Sequence, residues 1–164
     1  MANYYNQTVV HQTIPNVCMA PIEKWFIPHI FDHEPDGGGP YFFAEEYPNS
    51  AAGVEEQLFE AIETSRGTCP ELCAAVEQAI RHDRVGAVWV DLDEIGYPAI
   101  FQSIVRRHSN RLPYISIEEN GTRMGRDWFG GGATLITPDT VEWIDTRLWL
   151  HERLTARGLM SETE

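Results

Sequence analysis

The segment WFIPHIFDHEPDGGGPYFFAEEY, residues 25–47, places a turn rich in glycine and proline between two aromatic runs. The turn combines proline, aspartate and three consecutive glycines, a composition typical of a chain reversal. The flanking runs therefore predict two antiparallel strands, 25–31 and 41–47, and Pro28 assigns the first of them to a sheet edge or a bulge. Residues 7–14, rich in β-branched side chains, predict a further strand before them.

The hydrophobic pattern changes to a helical period after this segment. Apolar side chains at Leu58, Ala61 and Ile62 share one helical face, and glutamates cover much of the rest. The next breaks in the pattern come at Pro70 and at Gly96-Tyr97-Pro98. Together these patterns predict helices near residues 54–63, 70–80 and 97–107, with a buried strand at 87–92 between the second and the third.

The last third of the chain predicts a hairpin and a long helix. Asn120-Gly121 is a two-residue turn signal, so we expect strands at 113–119 and 122–129 on either side of it. Three glycines then lead to a short strand at 133–136. Thr137-Pro138 predicts the start of a helix that ends at Gly158. This helix is apolar over more than half of its circumference, so we expect it in the core, with a partner interface as the alternative.

Strands grouped at the start of the chain, followed mainly by helices, indicate an α+β fold. We expect one domain over residues 1–164, with a mixed, largely antiparallel sheet and about four helices packed on it. The order strand, helix, strand from residue 87 to residue 117 also predicts a right-handed crossover that joins two parallel strands.

The charge of the chain is the feature that bears most on function. Its net charge is −13, and it contains a single lysine, Lys24. Between Lys24 and Arg66 there are nine carboxylates and no basic side chain. Such a stretch repels nucleic acid and anionic membranes, which argues against direct binding to either, and it attracts a basic protein surface. With no secretory signal and no apolar run of about 20 residues, we expect a cytoplasmic protein.

The acidic stretch interleaves aromatic side chains with carboxylates, the composition of a protein interface with aromatic anchors and charged contacts. We therefore expect an interaction module or inhibitor that occludes the basic, nucleic-acid-binding surface of a partner protein. The expected interface residues are Asp32, Glu34, Asp36, Tyr41, Phe43, Glu45, Glu46, Tyr47, Glu55, Glu56, Glu60 and Glu63. In composition alone, the small, acidic chain is similar to phage and mobile-element inhibitors of restriction or CRISPR systems.

A second hypothesis is a divalent-metal enzyme that acts on a phosphate-containing substrate. If the parallel crossover forms, Asp91 and Asp93 meet Glu118 and Glu119 at the carboxyl ends of neighbouring strands, where α/β sheets bind ligands. Carboxylate oxygens suit Mg²⁺ or Mn²⁺. The alternative is that these are solvated acids that cap turns. The sequence holds no P-loop and no nucleophile elbow, so we assign no catalytic residue and expect no other cofactor.

A third possibility uses the apolar excess on the last helix. A helix with more apolar surface than its own core requires can dock on another chain. Self-association into a homo-oligomer is the simplest form of such docking.

Overall fold

The computed structural model describes residues 6–122 and 129–159, which form nine strands and five α-helices. The strands are β1 (Asn6–Val10), β2 (Asp32–Asp36), β3 (Gly39–Ala44), β4 (Ala51–Gly53), β5 (Ile80–His82), β6 (Val88–Asp91), β7 (Ile115–Thr122), β8 (Phe129–Ile136) and β9 (Val141–Asp145). The helices are α1 (Pro21–Ile30), α2 (Glu56–Ser65), α3 (Pro70–Ala79), α4 (Tyr97–His108) and α5 (Thr146–Ala156).

The described strands form two separate sheets, and every pairing in them is antiparallel. The larger sheet has six strands in the order β2-β3-β1-β7-β8-β9, and the smaller has three in the order β4-β6-β5. This arrangement confirms the predicted α+β class. The predicted parallel crossover is wrong, because β6 and β7 belong to different sheets. A mixed sheet was expected, whereas both sheets are purely antiparallel.

Helices cover one face of the six-stranded sheet. Alternate residues of its strands, such as Val10, Phe42 and Ile117, are fully buried beneath α1 and α4. Helix α2 lies against α1 and α3, so it forms a further layer on the same side. A single cluster of buried side chains includes residues of both sheets. In the part of the chain that the structure describes, no helix has the length and apolarity to cross a membrane.

Helix α1 replaces the strand predicted at residues 25–31. A short apolar run fits either a strand or a buried helix, and the spacing of Ile22, Trp25, Phe26 and Ile30 fits a helical face once the residues before the run are included. The Glu23 carboxylate accepts a hydrogen bond from the Ala20 backbone N–H at 2.8 Å, which satisfies one donor at the helix start. Pro28 lies in the last turn of the helix. Because proline has no backbone N–H, it removes a single hydrogen bond of that turn.

The predicted reversal at the glycine run is confirmed as a β2–β3 hairpin, with its strands shifted in sequence. Pro35 pairs with Pro40 and Asp36 with Gly39, which leaves Gly37 and Gly38 as the turn. Gly37 has φ of +62°, a conformation that glycine adopts without strain. The two strands therefore extend into the residues that were expected to form the loop.

The turn predicted at Asn120-Gly121 is wrong, because β7 continues through both residues. They pair with Gly131 and Gly130 of β8, so the glycine run that was predicted as a connection lies inside a strand. A Cβ atom at Gly131 would lie 2.7 Å from the backbone oxygen of Glu119, so only glycine fits this close pairing. The predicted return strand at 122–129 falls mostly on residues 123–128, outside the described residues.

The final helix is shorter than predicted and begins later. Residues 137–140 form a turn, β9 follows, and α5 begins only at Thr146. The Asp145 side chain caps α5 by accepting hydrogen bonds from the N–H groups of Arg147 and Leu148 at 2.8 and 2.9 Å. The expectation that this helix lies in the core is also wrong, because α5 contains no buried residue. Its predicted end at Gly158, with φ of +67°, is confirmed.

One buried ion pair joins four segments of the fold. Glu23 of α1 is fully buried, and its carboxylate accepts a hydrogen bond from Arg107 of α4 at 2.6 Å. Arg107 also donates to the backbone oxygen of Cys18 and to the Ser103 hydroxyl. The Cys69 thiol, at the start of α3, lies 3.8 Å from the same carboxylate. The Glu23 charge is therefore both neutralised and hydrogen-bonded, as burial of a charge requires, whereas the Arg107 Nε atom is buried without a hydrogen-bond partner among the described residues.

We expect Arg107→Leu to destabilise the protein by about 3 to 5 kcal/mol, because it leaves the Glu23 charge buried without its partner. Arg106→Leu is the matched control, since this neighbouring arginine is exposed and bonds only the Pro138 carbonyl among the described residues. Its loss should change stability by about 1 kcal/mol or less. Urea unfolding of both variants measures the difference, and equal losses would contradict a special role for the pair.

The Cys69 thiol should make stability fall at alkaline pH. Burial, with the nearby Glu23 carboxylate, raises the pKa of this thiol to about 11, whereas an unfolded cysteine titrates near 8.5. Between these values the unfolded chain has lost the proton and the folded chain has kept it, so the free energy of unfolding decreases as pH rises. Denaturant unfolding at several pH values should show a smaller decrease in Cys69→Ala than in the parent, and identical profiles would refute this origin.

Candidate protein-binding face

The six-stranded sheet has a second face, opposite α1 and α4, on which no helix lies over β1, β2 or β3 among the described residues. Residues alternate between faces along each strand, so the register identifies which side chains point to this side. One cross-strand row spans all six strands of the sheet: Asp32, Phe43, Val9, Glu118, Ala133 and Ile144. We call this side of the sheet the open face.

Aromatic and acidic side chains adjoin one another at the β2–β3 end of the open face. The rings of Tyr41 and Phe43 stack with centroids 5.6 Å apart, and both side chains are half-buried. Asp32 pairs in register with Phe43, and Glu34 with Tyr41, so a carboxylate flanks each ring. Both carboxylates are exposed. Four of the predicted interface residues therefore form one compact group.

The middle of the open face carries an exposed contact between a carboxylate and a histidine ring. Glu118 of β7 lies 3.3 Å from the His11 ring, just beyond the end of β1, and Val9 is its cross-strand neighbour. The face contains no lysine or arginine at the described strand positions. The carboxylates on this face are Asp32, Glu34, Asp36, Glu118 and Glu142, and Glu118 contacts the His11 ring.

Four more predicted interface residues lie at the end of β2 or just after β3. Asp36 accepts a hydrogen bond from the Thr13 hydroxyl. Glu45, Glu46 and Tyr47 are exposed just after β3, so they border the open face. The structure thus places five of the predicted residues on the open face and three directly after β3.

Helix α2 carries the other acidic group, in a different layer of the molecule. Glu55, Glu56, Glu60 and Glu63 are exposed on or just before this helix, which α1 separates from the sheet. Arg66 donates to Glu63 at 2.8 Å and lowers the pKa of that carboxyl through the hydrogen bond and its charge. The twelve residues predicted as one interface therefore form two groups, on opposite sides of α1.

The four carboxylates of the metal hypothesis point to different places. Asp91 accepts hydrogen bonds from the N–H groups of Asp93 and Glu94 at 3.2 and 3.4 Å, which makes it the cap of a turn. Glu118 lies on the open face, whereas Glu119 points to the other side and accepts a hydrogen bond from Tyr97. Over residues 6–122 and 129–159, no three His, Cys, Asp or Glu side chains are grouped as metal ligands. The parallel strands on which this hypothesis depended are absent from the described fold.

Sequence reasoning missed Val9, His11 and Glu118 as members of the open face. The signal for Glu118 was present, because Ile115 and Ile117 alternate with Ser116 and Glu118 in the predicted strand. That alternation assigns Glu118 to the side away from the core. Its neighbours in space come from β1, and no local pattern identifies them.

Comparison with known proteins does not assign the chain to a family. No family model matches it, and neither a curated protein nor a solved structure is similar to it.

Magnesium should leave the thermal stability of the protein unchanged, because Asp91 and Glu118 belong to separate sheets. We expect Asp91→Ala to lower stability by about 1 kcal/mol through the loss of its turn hydrogen bonds, with or without the ion. Thermal unfolding of both proteins in millimolar MgCl₂ and in EDTA tests this. A Mg²⁺-dependent rise in Tm that Asp91→Ala abolishes would restore the metal hypothesis.

Proposed function

We propose that the protein is an acidic interaction module that binds the basic, nucleic-acid-handling surface of a partner protein. The observation that carries this proposal is the open face, where stacked aromatic rings lie between exposed carboxylates and the described strand positions contain no lysine or arginine. The binding would prevent nucleic acid from reaching the same surface of the partner.

The physical roles divide between the rings and the charges. Tyr41 and Phe43 supply flat, half-buried apolar surface whose remaining exposed area a partner can desolvate. Asp32, Glu34 and Glu118 are positioned to accept hydrogen bonds from arginine or lysine side chains. Because nucleic-acid-binding surfaces are rich in those side chains, they are the natural complement of this face. Electrostatic attraction of this kind also accelerates association and weakens with salt.

The acidic group on α2 has fewer features of an interface. It includes one exposed aromatic ring, Phe59, and part of its charge is already paired with Arg66. We therefore assign binding to the open face and solubility to α2. The two groups can be tested independently, because α1 separates them.

The test compares two double charge reversals that change the net charge equally. Asp32→Lys/Glu34→Lys alters the open face, and Glu55→Lys/Glu56→Lys alters the α2 group. Immobilised parent and variant proteins are exposed to lysate of the source cells at low and moderate salt. We expect the open-face variant to lose the retained protein and the α2 variant to keep it. The purified partner should then lose DNA or RNA binding when the parent chain is added.

Protamine, an arginine-rich protein, serves as the probe of unspecific charge attraction. Its binding should weaken to the same degree in both variants, since their net charges are equal. Loss of the partner only in the α2 variant would move the interface to that helix. Retention by both variants, or no retention by the parent, would refute the proposal.

A further inference from the structure

The two edges of the six-stranded sheet differ in their protection against strand pairing. Edge strand β2 contains three carboxylates and Pro35, and all five of its residues are exposed. Charge and proline are the usual means by which proteins prevent pairing at an edge. Edge strand β9, VEWID, contains no proline and no lysine, and beside its two carboxylates, Glu142 and Asp145, the Val141, Trp143 and Ile144 side chains are exposed. In the described part of the chain, no strand pairs with its outer side.

Exposed apolar side chains are concentrated around β9 and α5. Of the thirteen large hydrophobic residues that are exposed in the described chain, eight fall within residues 135–159. They are Leu135, Val141, Trp143, Ile144, Leu148, Trp149, Leu150 and Leu159. About half of each side chain is uncovered, which amounts to on the order of 700 Å² of apolar surface. These side chains lie on both faces of the sheet edge, with Ile144 on the open face and Trp143 on the other, and around α5. A stable dimer buries about 800 Å² per partner, so an association that covers this edge from both faces buries an area of the required order.

The charge of the same region favours a second copy of the chain over a basic partner. Residues 141–157 contain three carboxylates, Glu142, Asp145 and Glu152, and three arginines, Arg147, Arg153 and Arg157, so their formal charges cancel. The whole chain carries −13, so two copies repel each other least where these segments meet. A patch with both signs is also able to pair with itself across a two-fold axis.

We propose that two copies of this chain associate through antiparallel pairing of β9 with β9. A five-residue strand pairs along its full length with its own copy only when the axis passes through its middle residue, which is Trp143. The pairing joins the two six-stranded sheets into one continuous sheet of twelve strands. Helix α5 begins at the residue after β9 and packs on β8 and β9 of its own chain, so the pairing brings exposed apolar side chains of α5 close to the other copy. This association does not depend on the proposed partner of the open face.

Sedimentation velocity over a range of concentrations tests the association, and we expect twice the mass of one chain. Trp143→Glu places two like charges opposite each other at the axis and should give a monomer. Because Trp143 is 58% exposed, its replacement removes little from the core. Phe59→Glu is the matched control, an aromatic residue on α2 that is 51% exposed, and it should stay dimeric. A monomeric parent chain, or a dimeric Trp143→Glu variant, would overturn the proposal.

A cysteine at the axis tests the pairing register directly. In Trp143→Cys the two new thiols face each other across the paired strands, whereas Cys18, Cys69 and Cys73 are buried. Mild oxidation should therefore produce a disulfide-linked dimer of Trp143→Cys and no linked dimer of the control, Phe59→Cys. This readout does not depend on a loss of folding. Equal linkage in both variants, or none in Trp143→Cys, would refute pairing centred on Trp143.

Discussion

The Glu23 carboxylate imposes the constraint on which the layered arrangement depends. A fully buried charge has to be neutralised and hydrogen-bonded where it lies, and Arg107, the Ala20 N–H and the Cys69 thiol together meet that requirement. These groups come from α1 and the residue before it, from α4 and from the start of α3. Helices from three parts of the sequence are thereby held in one arrangement. An apolar contact would tolerate sliding of these helices, whereas the directional hydrogen bonds do not.

With α1 and α4 fixed, the two faces of the large sheet become different environments. The inner side receives the helices and buries Val10, Phe42 and Ile117. The other side keeps alternating aromatic and acidic residues in contact with solvent. The same sheet also has two unlike edges: β2 carries three carboxylates and a proline, whereas β9 carries two carboxylates and three exposed apolar side chains. Each of these surfaces is set by strand register, so a shift of one residue would exchange the buried and exposed sets.

Sequence patterns predicted the parts of the fold that depend on neighbours along the chain. Helices α2, α3 and α4 lie close to their predicted positions because their apolar faces repeat within a single segment. The predicted secondary structure was wrong where contacts between residues distant in sequence decide it. The glycines at 130–132 have the composition of a loop, and they form a strand because β7 lies alongside them. Helix α1 was missed because a short apolar run does not identify its own period. Strand β9 was missed because Val141 and Ile144 also fit helical spacing with Leu148.

The candidate site, too, was predicted correctly only where neighbours along the chain determine it. Tyr41, Phe43, Asp32 and Glu34 were predicted because one stretch of the chain mixes aromatic and acidic residues. They share one face because β2 and β3 pair in register. Glu55, Glu56, Glu60 and Glu63 were grouped with them only because they follow soon in the sequence. Helix α1 comes between the groups, and its position is a property of the tertiary fold. Glu118, assigned by sequence to a metal, joins the open face through a strand more than a hundred residues away.

Antiparallel pairing of identical edge strands requires a two-fold axis perpendicular to the sheet, which has a consequence for the open face. A rotation about such an axis keeps each face on its own side, so both open faces would look in the same direction along a sheet about 55 Å wide. A target that presents two basic surfaces, such as a dimer, could engage both at once. The second contact would then form at a high local concentration, and the complex would gain avidity without any new contact. Weak individual contacts would be sufficient for long-lived occupancy.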